Sequence, residues 1–358
     1  MPRTPNYEVI ATVRNRIVSG LYDAAGFLPA ERELAEELGV GRGVVRNVLR
    51  TLQDEGLIRL IPRRGAGICT AEKKQRLERF FIRCGHSPAV MGNAPEFLGV
   101  LGGICAGAAE CCAEALLSLA RDGDFTGEII SRWRRNELQG VIFIENTDTP
   151  GQLRELAAAG VPTVVANLES ALEAVSTRMD FRAIGRAAGA RLAAAGRGRV
   201  GAVTGPLDRY IYSEMLAGFR GALAEEELML DRRLVVEFTN DPAGAAVNYR
   251  RLSELLASPG RPDAIFAMRD NRAEVIFRIC RELRLRIPED LAVIGYDDVS
   301  WPGAEAAGLT TLRQPVEILG RAAVELLGEY FLTGVPPESR VISPIPIERT
   351  SLPPPRRR

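Results

Sequence analysis

The stretch LPAERELAEELGVGRGVVRNVLRTLQDEGL, residues 28–57, decides how the first part of the chain folds. Its apolar residues recur at the i, i+3, i+4 and i+7 spacing of an amphipathic helix, first over about 31–38 and again over about 42–55. Between these runs, Gly39-Val40-Gly41 has the composition of a tight turn. The stretch therefore predicts a helix-turn-helix.

Flanking segments extend this motif to a small unit that covers residues 1–70. Apolar spacing predicts another helix over 7–19, before the motif. After the motif, two short strands are predicted at 57–61 and 66–69, joined by a Pro-Arg-Arg-Gly turn. The unit is thus predicted to be a winged helix-turn-helix.

Basic side chains lie where such a unit would meet nucleic acid. Arg42, Arg46 and Arg50 are spaced at i, i+4 and i+8, which places them on one helix face opposite the apolar residues. Guanidinium donors match phosphates and guanine edges, so this helix is suited to a major groove. The hairpin Arg63-Arg64-Gly65 would bring two cations and a residue without a side chain to the adjacent minor groove. A solvated arginine face is the alternative for any single residue.

Residues 7–68 resemble the GntR-type winged helix. The segments that carry the resemblance are Leu28-Pro29-Ala30-Glu31-Arg32-Glu33-Leu34-Ala35, Val40-Gly41-Arg42, Val45-Arg46-Asn47-Val48-Leu49 and Glu55-Gly56-Leu57. The resemblance implies that Arg32, Arg42, Arg46 and Gly65 contact DNA. Gly41 departs from the pattern, because a phosphate-binding Ser is usual there.

The rest of the chain has a different texture. Polar residues 71–78 are predicted to form a linker, and residues 79–350 alternate short β-branched runs with amphipathic helical stretches. This alternation predicts an α/β domain with parallel sheets covered on both faces, and its length suits two lobes better than one sheet. Residues 351–358 are predicted to be a loose tail.

From residue 137 to about 320 the chain resembles the LacI-type effector domain, which is periplasmic-binding-protein-like. The most specific segments are Ile287-Pro288-Glu289-Asp290-Leu291-Ala292-Val293-Ile294-Gly295-Tyr296-Asp297-Asp298 and Leu309-Thr310-Thr311-Leu312-Arg313-Gln314-Pro315. The resemblance implies a two-lobed, doubly wound domain that binds a small molecule between its lobes.

The resemblance also implies which side chains bind the effector. Asp180 and Asp297 would accept hydrogen bonds from hydroxyl groups, and Phe238 would stack on the ligand. Met215 stands where the family usually has a ligand-gripping Arg, and Arg269 stands where Asn is usual. These two changes move a cation across the cleft, so the expected effector is a sugar, a sugar acid or a phosphorylated compound. Core packing is the alternative for Met215 and Phe238, and a strand-end cap for Asp297.

Composition excludes several classes of activity. The chain has 46 basic and 46 acidic residues, so it is not a globally basic nucleic-acid coat. It contains a single histidine, His86, which is interpreted as a loop residue near the cleft or an ordinary surface residue. No lysine follows Lys74, and the P-loop and G-x-S-x-G motifs are absent. We therefore expect no enzyme, no cofactor and no metal.

Further expectations concern the cysteines and the location of the protein. Cys105 and Cys112 are seven residues apart and are expected to be small buried residues rather than a redox or metal pair. The N-terminus lacks the apolar stretch of a signal peptide, and Glu110 and Glu114 interrupt the longest apolar run. A cytoplasmic protein with no membrane partner is expected.

Together, these features suggest a ligand-responsive transcriptional regulator similar to the arabinose-responsive repressors. The expected partners are double-stranded operator DNA, a sugar-like effector and a second copy of the chain in a homodimer. Three alternatives stay open: an effector-dependent activator, an enzyme with a DNA-binding appendage, and a small-molecule binding module without DNA binding. The arginine-bearing helix argues against the last of these.

Overall fold

The computed structural model describes residues 6–18, 21–22, 27–55, 57–61, 65–68, 76–84, 95–118, 125–144, 150–239, 242–301 and 307–354. The first unit, here called the head, comprises α1 (Asn6–Val18), α2 (Glu31–Leu38), α3 (Arg42–Asp54), β1 (Ile58–Ile61) and β2 (Gly65–Ile68). β1 and β2 pair antiparallel to form the wing. Gly39 ends α2 in the left-handed conformation, with φ +65°, which only glycine adopts without strain.

The head has its own apolar core. Val13, Leu34, Val45, Val48 and Leu52 are fully buried in it, and they come from the three helices at the predicted helical spacing. The winged helix-turn-helix fold is confirmed.

The first lobe of the body is a four-stranded parallel sheet in the order β4-β3-β5-β6. Its elements are β3 (Arg79–Cys84), α4 (Pro95–Cys111), β4 (Glu114–Ser118), α5 (Phe125–Arg134), β5 (Val141–Ile144), α6 (Pro150–Ala158) and β6 (Thr163–Ala166). Helices cover both faces of this sheet, so alternate residues of its strands are buried in two separate apolar clusters.

The second lobe is a six-stranded sheet in the order β14-β12-β11-β10-β8-β9, parallel except for β14. The elements from β7 onward are β7 (Thr177–Met179), α7 (Phe181–Ala194), β8 (Val200–Thr204), α8 (Tyr210–Glu225), β9 (Val235–Glu237), α9 (Pro242–Ala257), β10 (Ala264–Ala267), α10 (Asp270–Leu283), β11 (Ala292–Asp297), β12 (Thr310–Arg313), α11 (Val316–Thr333), β13 (Arg340–Ile342) and β14 (Ile345–Ile347). Helices α7 and α8 pack on one face of the sheet, and α9 and α10 on the other.

The chain crosses between the lobes near β7 and again after β12. Helix α11 follows β12 of the second lobe but packs on α4 of the first lobe. This helix pair is close: a Cβ at Gly103 would lie 2.1 Å from the Glu317 carbonyl oxygen, and one at Gly320 would lie 2.1 Å from the Val100 carbonyl oxygen. Glycine at these positions therefore lets the two backbones touch. The two-lobed parallel architecture is confirmed.

Two local predictions differ from the structure. Ser351 and Leu352, assigned above to a loose tail, are buried: the Ser351 hydroxyl donates to the Val293 carbonyl at 2.6 Å and accepts from the Thr310 amide at 2.8 Å. Cys105 and Cys112, expected to be buried, are exposed, because Cys105 lies on the face of α4 that points away from α11 and Cys112 follows the last residue of α4 with φ 55°. Among the described helices, none is both long and apolar enough to cross a bilayer.

Candidate DNA-binding face and effector cleft

Helix α3 presents its arginines to solvent. Arg42, Arg46 and Arg50 are exposed on the face opposite the buried residues Val45 and Val48. The amphipathic pattern of α3 fixes this orientation, since the apolar face is held in the core of the head.

The four cations of the helix-turn-helix differ in their partners. Arg46 Nε donates to Glu31 Oε2 at 2.9 Å, and Arg32 lies 4.0 Å from Glu36. Both pairs are well exposed, so each contributes little and can exchange for a phosphate. Within the described residues, no acidic side chain forms an ion pair with Arg42 or Arg50. These two arginines are therefore available to a polyanion without breaking a pair.

The wing is described only in part. Gly65 is exposed and has φ +96°, a conformation that favours glycine, so the turn into β2 requires it. Arg63 and Arg64, the predicted minor-groove cations, lie outside the described residues.

In the body, the predicted effector residues stand at the ends of β-strands. In the sheet of the second lobe, Phe238 follows β9, Arg269 follows β10, and Asp297 is the last residue of β11, whereas Asp180 follows β7, which pairs with β13. Carboxyl ends of parallel strands meet at one edge of a sheet, which is where open α/β folds bind ligands. Glu169 reaches the same place from the first lobe, three residues after β6. We call this region the cleft.

A charge cluster joins the lobes across the cleft. Arg269 Nη2 donates to Glu169 Oε1 at 2.9 Å, and its Nη1 donates to Asp297 Oδ1 at 3.3 Å. The side chains of Arg269, Glu169 and Asp297 are only 14%, 7% and 7% exposed. Burial raises the pKa of the Asp297 carboxyl well above its ordinary value, although the nearby Arg269 acts in the opposite direction. Burial disfavours the charge of Arg269 too, but the attraction of Asp297 and Glu169 prevails and raises its pKa.

The backbone at the cleft is strained. Asp297 and Asp298 follow each other with φ values of 116° and 61°, and Asn167 of the first lobe has φ 55°. Such conformations cost energy in residues other than glycine and are found mainly at functional sites. In these backbone conformations, the Asp297 carboxylate faces Arg269, and the Asp298 carboxylate pairs with Arg313 and Arg349.

A buried hydrogen-bond chain links the two lobes beside the cleft. The Tyr296 hydroxyl donates to Gln314 Oε1 at 3.1 Å, and Gln314 Nε2 donates to Asn167 Oδ1 at 2.8 Å. Thr177, whose hydroxyl oxygen accepts from the Asn167 amide at 3.2 Å, donates in turn to the Leu319 carbonyl in the first turn of α11. Because every member is buried and paired, this chain defines the geometry of the crossover.

A cavity of about 680 Å³ opens beside Phe238. Its walls include residues of α9 and α10, among them Tyr249, Asn271 and Arg272. Phe238 is 8% exposed and is part of the apolar core beneath the cavity. Its placement is compatible with both interpretations given above, a stacking surface and a core side chain.

Asp180 and Met215 have structural roles. Asp180 caps α7, where its Oδ1 accepts from the Ala183 amide at 2.8 Å. Met215 is fully buried in the core between α7 and α8, and its carbonyl oxygen would lie 1.9 Å from a Cβ at Gly185. Because Met215 has no accessible surface in this structure, we correct the expectation that it contacts the effector and assign it to the core.

Sequence reasoning missed several residues of the cleft. Glu169 is 100 positions from Arg269 in the chain, and no motif pairs them. Arg272, which no sequence motif singled out, is buried and donates to the Tyr212 hydroxyl at 3.1 Å. The only local signal was an acidic residue close to a strand end. His86, the other cleft candidate, lies outside the described residues.

The fold and the cleft define a class of protein: a winged-helix head joined to a two-lobed ligand-binding body. Residues 170–352 match the family described as "Periplasmic binding protein-like domain", and residues 5–68 match "Bacterial regulatory proteins, gntR family". The chain belongs to the periplasmic binding protein-like family and carries a GntR-type head.

Individual relatives agree with this assignment. The HTH-type transcriptional repressor PurR of Shigella dysenteriae serotype 1 (strain Sd197) is 32% identical over 169 residues, which are 47% of this chain and 49% of that protein. The values for PurR of Escherichia coli O139:H28 (strain E24377A / ETEC) are the same. The similarity therefore spans about half the length of these relatives.

Solved structures resemble a larger part of the chain. A transcriptional regulator CelR–cellobiose complex has a TM-score of 0.62 and 25% identity, covering 90% of this chain and 100% of that one. The transcription regulator CcpA of Lactococcus lactis has a TM-score of 0.60 and 18% identity over 78% of this chain and 100% of that one, a likeness of fold alone.

Proposed function

We propose that this protein is a ligand-responsive transcriptional regulator that represses genes of carbohydrate utilisation. The observation that carries the proposal is the exposed arginine face of α3 on a head joined to a two-lobed body with a polar cleft. If the arginines of α3 were only a solvated face, the two-lobed ligand-binding body would have no role in DNA binding. If the protein were only a small-molecule binding module, the exposed arginines of α3 would have no function. The relatives named as transcriptional regulators support the proposal.

The proposed DNA contact is made by α3 in the major groove. Arg42 and Arg46 would reach bases or phosphates in that groove, and Arg32 on α2 would contact the sugar-phosphate backbone of the DNA. Gly65 would let the wing approach the minor groove closely, with Arg63 and Arg64 beside it. The pairs of Arg46 with Glu31 and of Arg32 with Glu36 would be exchanged for DNA contacts.

The proposed effector is a sugar or sugar derivative bound in the cleft. Asp180, Phe238, Arg269 and Asp297 would contact it, and Met215 is no longer included. Carboxylates that accept from hydroxyl groups beside an aromatic surface suit a carbohydrate. A complex with cellobiose in a solved relative supports this class of ligand.

Effector binding would reach DNA through the crossover. The Tyr296–Gln314–Asn167 chain and the Thr177 contact with α11 connect the cleft to the α4–α11 pair. A change in lobe closure would therefore move α4, and a second copy of the chain that contacts α4 would move with it. By linkage, DNA must alter effector affinity by the same factor as effector alters DNA affinity.

A second copy of the chain is the proposed partner for the outer face of α4. Leu98 and Cys105 are exposed on that face, Cys112 is exposed just after the end of α4, and the edge strand β4 follows with exposed Leu117. A symmetric dimer would place two heads on the half-sites of a near-palindromic operator. A DNA partner implies that the protein acts in the cytoplasm.

The test is DNA binding by purified full-length protein, with sequences enriched from genomic fragments and affinity measured by fluorescence anisotropy at several salt concentrations. Wild type should prefer particular sequences, with an affinity that falls as salt rises. Arg42→Ala/Arg50→Ala should lose most of the binding. Arg220→Ala, an exposed arginine on α8, is the matched control and should bind like wild type. A reporter driven by the enriched sequence distinguishes repression from activation. Absence of any sequence preference contradicts the proposal.

A further inference from the structure

We infer that the cleft selects an uncharged, hydroxyl-rich effector and rejects anions, with Glu169 as the residue that sets this specificity. The inference rests on the proposed function and narrows it, because the sequence alone left neutral sugars, sugar acids and phosphorylated compounds open. It follows from how the cation of the cleft is already paired.

Both terminal nitrogens of Arg269 donate to carboxylates before any effector arrives. Nη2 donates to Glu169 Oε1 at 2.9 Å, and Nη1 lies 3.3 Å and 3.4 Å from the two carboxylate oxygens of Asp297. The guanidinium thus faces one carboxylate from each lobe at close range. An anion that binds through either terminal nitrogen would have to displace one of them, and that carboxylate would then be left buried without its partner.

Further negative charge surrounds this cluster. Glu96, in the first turn of α4, lies close enough to the Asp297 carboxyl to act on it electrostatically, as do Asp270 and Glu169. The acidic groups Glu96, Glu169 and Asp297 outnumber Arg269 and Arg272, the two cations that act on this cluster. Like charges that meet in a poorly solvated site repel strongly, so the surroundings disfavour a carboxylate or a phosphate on the ligand.

The same surroundings favour hydroxyl groups. Each carboxylate has more acceptor positions than one arginine can fill, so a hydroxyl can donate to Glu169 or Asp297 while the pair with Arg269 stays intact. Because Glu169 belongs to the first lobe and Arg269 to the second, the intact pair also keeps the lobes together. A neutral polyol can therefore bind without opposing closure.

Removing the charge of Glu169 tests this specificity directly. The substitution Glu169→Gln removes the ion pair with Arg269 Nη2 and keeps the size of the side chain nearly the same. Wild type, Glu169→Gln and Glu169→Gln/Arg269→Asn would be titrated with inorganic phosphate at constant ionic strength, with thermal unfolding as the readout. Glu169→Gln should bind phosphate roughly tenfold more tightly than wild type, the effect of about one charge-assisted hydrogen bond. The double variant should return to the wild-type response, which separates binding at Arg269 from binding at the arginines of the head.

A second arm uses the wild-type protein alone, so it does not depend on how well the variant folds. Matched pairs of neutral sugars and their acids or phosphates, such as D-glucose with D-gluconate and glucose 6-phosphate, would be compared in the same assay. Only neutral members should stabilise wild type. Phosphate binding by wild type that Arg269→Asn removes, or a folded Glu169→Gln that gains none, overturns the inference. Neither result touches the proposed DNA binding, which the anisotropy experiment measures separately.

Discussion

The arginines of α3 and Arg269 of the cleft are the same residue type in opposite situations. Arg42 and Arg50 are exposed, and no acidic side chain in the described part of the chain pairs with them. Arg269 is 14% exposed and is held by carboxylates from two lobes. The first kind of arginine is ready for a partner of opposite charge, whereas the second already has its partner inside the protein.

This difference teaches that the residue type alone does not define the ligand. An exposed guanidinium is well solvated, so exchanging water for a phosphate costs little. A buried guanidinium without partners would cost several kcal/mol, so the fold must supply its counter-charges. Substitutions at the two kinds of arginine should therefore differ in their effects on stability and on DNA binding.

The buried arginine should matter most for stability. Arg269→Ala leaves Glu169 and Asp297 close together without a cation, and we expect a loss of about 3–5 kcal/mol in the free energy of unfolding. Urea denaturation at pH 8 measures it. Arg191→Ala, which breaks a more exposed pair with Glu348, is the control and should cost less than about 1 kcal/mol. Equal losses would remove the distinction between the two kinds of arginine.

The second prediction concerns pH and a buried acid beside the cleft. Burial raises the pKa of Asp270 to about 7, although Thr311 and the Val299 amide donate to it. A raised folded-state pKa means that the proton stabilises the fold, so stability from this group is lost as pH rises from about 4 through 7. Between pH 5 and pH 8 we expect a decrease of about 2–3 kcal/mol.

The difference between wild type and Asp270→Asn in urea melts isolates this contribution, since other titrating groups are common to both proteins. Asp270→Asn should show a flatter dependence of stability on pH. A variant with the same slope as wild type would mean that Asp270 stays ionised in the folded protein.

The exposed arginines should affect DNA binding and leave stability almost unchanged. Arg42→Ala should weaken binding to the enriched DNA by about 1–3 kcal/mol if it removes a base contact. A loss of similar size on every sequence, with a salt slope lower by about one, would assign Arg42 to a phosphate. The free energy of unfolding should stay within about 0.5 kcal/mol of wild type. A larger change would mean that α3 needs Arg42 for folding.

The smallest expected effect comes from the paired arginine of the head. Glu31→Gln removes the exposed partner of Arg46 and one negative charge near the DNA. We expect an affinity gain of about 0.2–1 kcal/mol, most visible at low salt. Glu55→Gln, which removes the partner of Arg14, is a control in the same head. If Glu31→Gln weakened DNA binding, the carboxylate of Glu31 would hold Arg46 in the orientation that binds DNA. It would then not compete with a DNA phosphate for Arg46.

Much of the fold could be predicted from periodicity. Helix α2 has the predicted bounds, because a strong apolar pattern over a short segment leaves few alternatives. Other elements could not be read locally. Strands β13 and β14, near the chain's Pro-rich end, exist because β7 and β12 offer them unpaired edges. Ser351 and Leu352 are buried for a similar reason, since the Ser351 hydroxyl pairs with the Val293 carbonyl and the Thr310 amide.

The candidate sites divide in the same way. Spacing along one helix was sufficient to place Arg42, Arg46 and Arg50 on a common exposed face, since helical geometry relates near neighbours in the chain. Cys105 and Cys112 do not share a helix face, because α4 ends at Cys111 and Cys112 has φ 55°. Only the packing of α4 on α11 decided that the face carrying Cys105 is the outer one.

The class of the two units, and the residues at the strand ends of the body, follow from the sequence. The contacts of those residues follow from the folded chain, because Glu169 meets Arg269 from 100 positions away and Met215 is enclosed by a helix crossing. The physical reason is range: local patterns report which side of an element is apolar, whereas the energy of a buried charge depends on groups that the fold brings from elsewhere.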